Sequence, residues 1–310
     1  MPLILEDALR VRYSRALPRD SEVLHRVLEV SQWYIGAGLG DTDAGRRLAS
    51  SNDAIYWQQL SEVLVARELF ECGLTPIRRA DSPDFLIEHE GRRIWIEVIC
   101  PEPMGIPNDW LSTPNAMAVV SFPHEAMTLR WTAAIKEKFE KLVGRVNSPG
   151  SGYLAKGVVG ADDAYVIAVN GRLLRDNFPQ INGISQLPFA VEVTLAVGPL
   201  EIRINRDTLQ KISSGLKHRP VLQKSNGAAI PSDTFFDPRW APVSGVWGFD
   251  LGLNVLFDAR RPSIVVHNHA ARRPVPFGLL PAEMEYFVRL RQSEYSVERC
   301  DGRLTKDGGE

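Results

Sequence analysis

Two acidic residues, Asp84 and Glu97, lie near the ends of a segment that has the pattern of a β-hairpin. Residues 84–89 and 92–99 are predicted as short strands, joined by a two-residue loop that ends in Gly91, a recognised signal of a tight turn. This loop places Asp84 directly across from Glu97. Opposed side chains on one face of an antiparallel pair have Cβ atoms about 4.5–5.5 Å apart, so the two carboxylates could share one cation.

The residues around the two acids are apolar on both faces of this hairpin. One face carries Phe85, Ile87, Ile94, Ile96 and Val98, and the other carries Leu86, Trp95 and Ile99. Two like charges in such a setting repel each other and are poorly solvated, so they need a metal cation, a shared proton or a basic partner. The structural alternative is that one or both acids reach solvent at the end of the sheet.

The sequence predicts further elements that would bury the hairpin. Residues 51–72 have a strongly helical pattern, with Asn52 among the candidate N-caps and Gly73 where a left-handed C-terminal cap would lie. A second long helix is predicted from about residue 125 to 143. The apolar, β-branched run 164–169 is typical of a buried strand. The order helix, strand, strand, helix, strand predicts an α/β fold.

With Pro83-Asp84 and, after twelve intervening residues, Glu97 in an apolar strand, the segment resembles the PD-(D/E)XK nuclease superfamily over roughly residues 54–169. The resemblance implies a restriction-endonuclease-like mixed sheet flanked by helices, here with extra N-terminal helices and C-terminal strands. It implies magnesium, or manganese, bound by Asp84 and Glu97. The preceding helix of such proteins often donates a further acid, a position that Glu62 matches.

The sequence departs from the superfamily pattern two positions after Glu97, where Ile99 stands in place of the usual lysine. Some members of the superfamily are thought to supply this lysine from the following helix. In that helix Ala134, Lys138 and Lys141 form one stripe at helical spacing, beside the apolar stripe that would be buried. Lys138 is the predicted replacement, and the alternative for each lysine is a solvated basic face.

Glu62 shares its stripe of the predicted helix with apolar residues, which are Ile55, Ala66 and Leu69. That environment is unusual for a glutamate. Two interpretations follow from it. Glu62 either helps to hold the metal, or it pairs with an arginine such as Arg67 or Arg79.

Composition limits the partners. The net charge is −2 and the sequence pI is about 6.3, so the molecule as a whole does not attract phosphate, and any nucleic-acid contact needs a local basic patch. The candidate patch contains Arg203, Arg206, Lys211, Lys217, His218, Arg219 and Lys224.

The three cysteines lack zinc or disulfide spacing. The sequence has neither a signal peptide nor a run of about 20 apolar residues, so a soluble cytoplasmic protein without membrane contact is expected.

Changes in composition and residue pattern along the chain predict four regions. Residues 1–50 form an N-terminal helical extension, 51–175 the nuclease-like core, 176–300 a C-terminal extension of the core, and 301–310 a disordered tail. Within the C-terminal extension, strands are predicted at Ala190–Val197, Gly245–Leu251 and Ser263–His267, and helices at Arg206–Leu216 and Pro281–Arg291.

Two functions are consistent with these features. The first is magnesium-dependent hydrolysis of phosphodiester bonds in DNA, with Asp84, Glu97 and Lys138 as catalytic residues and Glu62, Asp84 and Glu97 as metal ligands. The second is a catalytically inactive module of the same fold that binds nucleic acid or protein, for which Ile99 is the main support. A homodimer is compatible with both functions.

Overall fold

A computed structural model of the chain describes residues 2–13, 18–112, 121–174, 181–224, 226–257, 262–292 and 294–304. The α-helices are α1 (Pro2–Tyr13), α2 (Pro18–Gly36), α3 (Ala44–Leu48), α4 (Asp53–Glu71), α5 (Asn108–Leu111), α6 (His124–Val143) and α7 (Phe189–Thr194). The strands are β1 (Phe85–His89), β2 (Arg92–Ile99), β3 (Ala164–Asn170), β4 (Val197–Ile204), β5 (Lys211–His218), β6 (Val221–Gln223), β7 (Ala229–Pro231), β8 (Gly245–Phe249), β9 (Ser263–His267), β10 (Met284–Arg291) and β11 (Glu294–Asp301).

Seven strands form one mixed sheet in the order β1-β2-β3-β8-β9-β10-β11. Strands β2, β3 and β8 run parallel, whereas the outer pairs β1–β2 and β10–β11 are antiparallel. The remaining strands of the described residues form two separate two-stranded sheets, β4–β5 and β6–β7. All seven residues of β3 are buried, as expected for a parallel strand covered on both faces. The α/β class and the helix-flanked mixed sheet predicted from the sequence are confirmed.

Helices cover the sheet on both faces. Apolar side chains of α1 to α4 pack on one face together with Phe85, Ile87 and Val98. Those of α6 and α7 pack on the other face together with Leu86 and Trp95. The two faces predicted from alternation in the hairpin are therefore confirmed, and α6 lies on the face to which Glu97 belongs. None of the helices in the described part of the chain is long and apolar enough to cross a membrane.

The hairpin has the predicted register. His89 pairs with Arg92 and Phe85 pairs with Ile96, and Asp84 immediately precedes the first paired residue of β1. Both loop residues adopt positive φ angles, 49° at Glu90 and 75° at Gly91, as a two-residue turn of this kind requires.

Helix α4 begins and ends where the sequence predicts. The side chain of Asn52 accepts a hydrogen bond from the backbone N–H of Ile55 at 3.2 Å and caps the first turn. Gly73 follows the helix with a φ of 73°.

Helix α4 is further joined to the sheet by Asn170, whose amide donates to Ser61 Oγ at 2.9 Å and to the carbonyl of Leu251 at 3.0 Å. This contact ties the residue next to Glu62 to the end of β3.

Three predictions in the C-terminal region are wrong. The predicted strand 190–197 is the helix α7, all six residues of which are buried. The predicted helix 206–216 is a turn followed by β5, and the predicted helix 281–291 contains β10. A short apolar run does not distinguish a buried helix from a buried strand, and in the other two segments pairing with neighbouring strands outweighs local helix propensity. The strands predicted at 245–251 and 263–267 are confirmed.

The tail prediction is wrong for residues 301–304. Asp301 pairs with Met284 at the end of β11, and the backbone N–H of Leu304 donates to the carbonyl of Ala282 at 3.0 Å. Residues 305–310 lie outside the described residues. Four of the seven strands in the main sheet come from residues 245–301, so the sheet continues across the predicted boundary at 175.

The turn residue Gly91 is predicted to contribute to stability through its backbone conformation alone. A Cβ at this position would meet no atom within 4 Å, so Gly91→Ala should lower the free energy of unfolding by about 1–2 kcal/mol, the cost of a left-handed conformation. Urea denaturation measures the change. The control is Glu90→Gly, where the lost strain and the added chain entropy should cancel to within about 1 kcal/mol. An equal loss in both variants would contradict this explanation.

Candidate active site

Three carboxylates come together at the end of the hairpin. Glu62 projects from α4, Asp84 precedes β1, and Glu97 lies in β2, where it is 1 % exposed. Burial raises the pKa of Asp84 well above its usual range, and the charges of Glu62 and Glu97 raise it further, against the opposing effects of Lys138 and the backbone N–H of Val98. The structure therefore brings the three predicted acids within electrostatic reach of one another in a buried setting.

Glu97 is held by cations from α6. Its Oε1 lies 3.3 Å from Lys138 Nζ and 2.9 Å from Lys141 Nζ, and its Oε2 accepts a 3.5 Å hydrogen bond from the Tyr153 hydroxyl. The side chain of Lys138 is buried, whereas that of Lys141 is half exposed. The helix thus places Lys138 beside Glu97 as predicted, while its catalytic role stays a prediction.

Lys141 is a second cation at the same carboxylate oxygen, which the sequence argument ranked behind Lys138. Burial lowers the pKa of its ammonium, but the charge of Glu97 and the hydrogen bond to it outweigh that effect and raise the pKa above its ordinary value. Lys141 therefore stays protonated at neutral pH. The spacing of residues 134, 138 and 141 was the signal for both lysines, and only the contacts show that both reach Glu97.

Asp84 is fixed by one short and one long contact. Its Oδ2 accepts a 2.7 Å hydrogen bond from the backbone N–H of Val98, which holds the carboxylate against the end of β2. Its Oδ1 lies 3.5 Å from Nη1 of Arg78. The backbone of Ile77 pairs with Leu86 in an isolated bridge, and this bridge brings the neighbouring Arg78 to the carboxylates.

Glu62 is surrounded by donors rather than by apolar groups alone. Its Oε2 lies 3.1 Å from Gln59 Nε2, 3.4 Å from the Tyr34 hydroxyl and 3.4 Å from Arg78 Nη1, and its Oε1 lies 3.3 Å from Gln58 Nε2. Its arginine partner is Arg78, which corrects the sequence suggestion of residue 67 or 79. Those two arginines pair with Glu71 and Glu88 respectively.

The N-terminal helices contribute to the site. Tyr34 of α2 reaches Glu62, and Asp41, in the loop between α2 and α3, lies 3.6 Å from Arg78 Nη2 through its Oδ2. Both residues lie in the region predicted only as an N-terminal helical extension, and neither contact was predicted from the sequence. Nothing in the local pattern pointed to them, because each depends on packing of α2 against α4.

The donor chemistry fits a hard divalent cation. Carboxylate oxygens are the ligands that magnesium and manganese prefer, and Glu62 in α4, Asp84 before β1 and Glu97 in β2 supply them. Burial, followed by the charges of Glu62 and Glu97, raises the pKa of Asp84, so a bound cation would stabilise its charged form. Within the described ranges, no group of three or more His, Cys, Asp and Glu side chains is already arranged to hold a metal. The metal roles of the three acids stay predictions.

The predicted basic patch divides between two settings. Arg203, Arg206 and Lys211 are exposed on the β4–β5 ribbon and its turn. Lys217 pairs with Glu201 at 3.4 Å, and Arg219 lies 3.6 Å from the fully buried Glu192. Lys217 is itself exposed on this ribbon, and Lys224 is exposed after β6, so the exposed cations of the patch are candidates for contact with a polyanion.

No known family model, curated protein or solved structure matches this chain.

The charge of Asp84 is predicted to reduce the stability of the metal-free protein. A carboxyl whose pKa is raised on folding stabilises the fold at low pH, and this contribution is lost as the pH rises through the raised value. Asp84→Asn should therefore raise the free energy of unfolding at pH 7–8, and this gain should shrink towards pH 4, while the amide oxygen keeps the Val98 hydrogen bond. Chemical denaturation in chelating buffer at pH 4 to 8 measures this.

The matched control for that experiment is Asp81→Asn, an exposed acid three residues earlier whose left-handed φ of 52° asparagine tolerates equally well. It should leave the stability and its pH dependence unchanged. A lower free energy of unfolding of Asp84→Asn at pH 7–8 would show instead that the carboxylate stabilises the fold.

Proposed function

We propose that the chain is a magnesium-dependent phosphodiesterase that hydrolyses DNA. The observation that carries the proposal is the approach of Lys138 Nζ to within 3.3 Å of the buried Glu97, in a cluster that also contains Asp84 and Glu62. A lysine beside the metal-binding acids is what the resemblance to PD-(D/E)XK nucleases requires. Here it comes from α6, because the strand position is occupied by Ile99.

In this proposal Glu62, Asp84 and Glu97 hold the divalent cation, magnesium or manganese. When bound, such a cation polarises the phosphate and lowers the pKa of its bound water. The lysines supply the remaining electrostatics. The charge of Glu97 and the hydrogen bond to it raise the pKa of Lys141, which favours its charged form and an electrostatic role. Lys138, buried beside the same oxygen, would orient the attacking water and offset negative charge that develops on the phosphate.

The position of Ile99 explains why a lysine from α6 could take this role. Ile99 is buried among the apolar residues of the face that α6 covers, two residues after Glu97 on the same strand. Successive side chains alternate along a strand, so residues 97 and 99 point to the same side. An amine from α6 therefore approaches Glu97 from the side on which the usual strand lysine would lie.

DNA is the proposed partner, contacted through the exposed ribbon β4–β5. Arg203, Arg206 and Lys211 give this ribbon an excess of positive charge on a chain that is slightly acidic overall. Phosphate contacts of this kind contribute most of the sequence-independent affinity for nucleic acid. The homodimer and the cytoplasmic location stay predictions.

A second candidate is the catalytically inactive module that binds nucleic acid or protein. The observation in its favour is that the acids already have cationic partners within the chain, since Arg78 contacts Glu62 and Asp84 while Lys138 and Lys141 contact Glu97. An ion-pair cluster of this kind can persist without a metal. Magnesium-dependent cleavage separates the two candidates.

Glu97→Gln is predicted to abolish cleavage while the protein stays folded, because the amide keeps the shape of the side chain but removes a charged ligand. The loss should be at least about 10²–10³-fold in turnover of linear DNA with magnesium, followed by gel electrophoresis. Glu88→Gln, an exposed change in the same hairpin, is the control and should cut normally. Absence of magnesium- or manganese-dependent cleavage of DNA and RNA by the unmodified protein would favour the inactive module.

Lys138→Ala is predicted to reduce turnover by about 10²–10⁴-fold, as expected when a positioned electrostatic group is lost, with little change in DNA affinity. Adding Ile99→Lys to this variant should restore part of the activity, because it returns an amine to the strand. Lys136→Ala, on the exposed side of α6, is the control. If Lys141→Ala loses turnover while Lys138→Ala does not, the role belongs to Lys141.

A further inference from the structure

Arg78 contacts three carboxylates at once. Its Nη1 lies 3.4 Å from Glu62 Oε2 and 3.5 Å from Asp84 Oδ1, and its Nη2 lies 3.6 Å from Asp41 Oδ2. The side chain is 17 % exposed. One guanidinium group therefore occupies the space between the two acids that the proposed function assigns to a metal ion.

All three contacts are long. Arginine–carboxylate hydrogen bonds are usually about 2.7–2.9 Å and often bidentate, whereas here a single nitrogen is shared between Glu62 and Asp84. Asp84 makes its short bond, 2.7 Å, to the backbone N–H of Val98. Arg78 is thus attracted by the charges of the two acids without being locked to either one.

Arg78 cannot resolve a conflict with a metal ion by losing its proton. Burial lowers its pKa, but the neighbouring acids outweigh this effect and the net shift is upward, so the group stays charged. A divalent cation between Glu62 and Asp84 would repel a guanidinium only 3.4–3.5 Å from both carboxylates. The side chain would have to move away from them.

Asp41 offers a place for Arg78 to move. It lies at the outer side of the cluster, and its Oδ1 is held at 2.7 Å by Arg47 while its Oδ2 faces Arg78. The side chain of Asp41 is more exposed than those of Glu62 and Asp84. A small outward shift would exchange two long contacts for a direct pair with Asp41.

We propose that Arg78 is a resident counter-cation that magnesium displaces towards Asp41, and that this exchange sets the affinity of the site for the metal. The inference rests on the metal-binding part of the proposed function and is independent of cleavage. It accounts for the presence of a positive side chain among residues that would otherwise bind a metal. Without such a cation, buried like charges would destabilise the metal-free fold.

Isothermal titration calorimetry with magnesium, in the absence of nucleic acid, tests this exchange. Two substitutions should change the magnesium affinity in opposite directions. Arg78→Met should tighten magnesium binding by roughly ten- to a hundredfold in Kd, because the competing cation is gone. It should also lower the metal-free Tm and increase the rise in Tm on adding magnesium. Asp41→Asn should weaken binding severalfold, because Arg78 loses the acceptor to which it would move. General damage to the fold would weaken binding in both.

Two neighbouring changes are the controls. Arg79→Met removes an arginine that pairs with the exposed Glu88, and Asp43→Asn removes an exposed acid of the same loop as Asp41. Both should leave Kd within about twofold of the unmodified protein, a difference well under the 1.4 kcal/mol that corresponds to tenfold.

Unchanged or weaker magnesium binding in Arg78→Met, or unchanged binding in Asp41→Asn, would overturn the inference. If Arg78→Met does not fold, Asp41→Asn against Asp43→Asn decides alone. No magnesium binding in any of these proteins would overturn the inference together with the metal site. The expected order of affinities without any cleavage of nucleic acid would support the inference and reject only the nuclease function.

Discussion

The structure around the candidate site depends on the electrostatic cost of burying carboxylates. Charged groups removed from water are costly unless oppositely charged groups or hydrogen-bond donors surround them. Three segments near Asp84 and Glu97 supply such groups: α6 provides two lysines, the segment before β1 provides Arg78, and the backbone of β2 donates to Asp84. The packing of α6 against the sheet, and that of α2, whose Tyr34 hydroxyl donates to Glu62, are therefore linked to the charge balance of one small cluster.

The hairpin and its two faces were predictable because their signals are local. A two-residue turn ending in glycine sets the register, and strict alternation assigns each side chain to a face. Lys138 was predictable for a similar reason, since helical spacing put it beside the buried stripe of α6. These features need no knowledge of distant parts of the chain.

The remaining parts of the site were not predictable in this way. Arg78, Asp41 and Tyr34 reach the cluster through tertiary packing, and their local sequences resemble ordinary surface turns and helices. The same limit explains the errors in the C-terminal region. Segments such as 281–291 have residues that favour helices, yet strand partners on both sides determine their structure.

The cluster also bears on the choice between enzyme and inactive module. Replacing a buried ion pair by apolar residues of similar volume is often neutral or even stabilising. Stability of the fold is therefore a weak explanation for several acids and cations gathered beside an apolar hairpin. A function that uses the charges explains them more directly.

The hydrogen bonds of Asn170 determine how much of the chain the site needs. This side chain joins α4, next to Glu62, to the carbonyl and the N–H of Leu251 beyond β8, and β8 itself pairs with one edge of β3 over residues 166–170. A fragment ending near residue 175 would leave that edge with unpaired backbone groups and uncovered apolar side chains, the usual conditions for aggregation. The acids and lysines therefore cannot be transferred to another protein on their own. A graft of this site would also have to include the strands that support it.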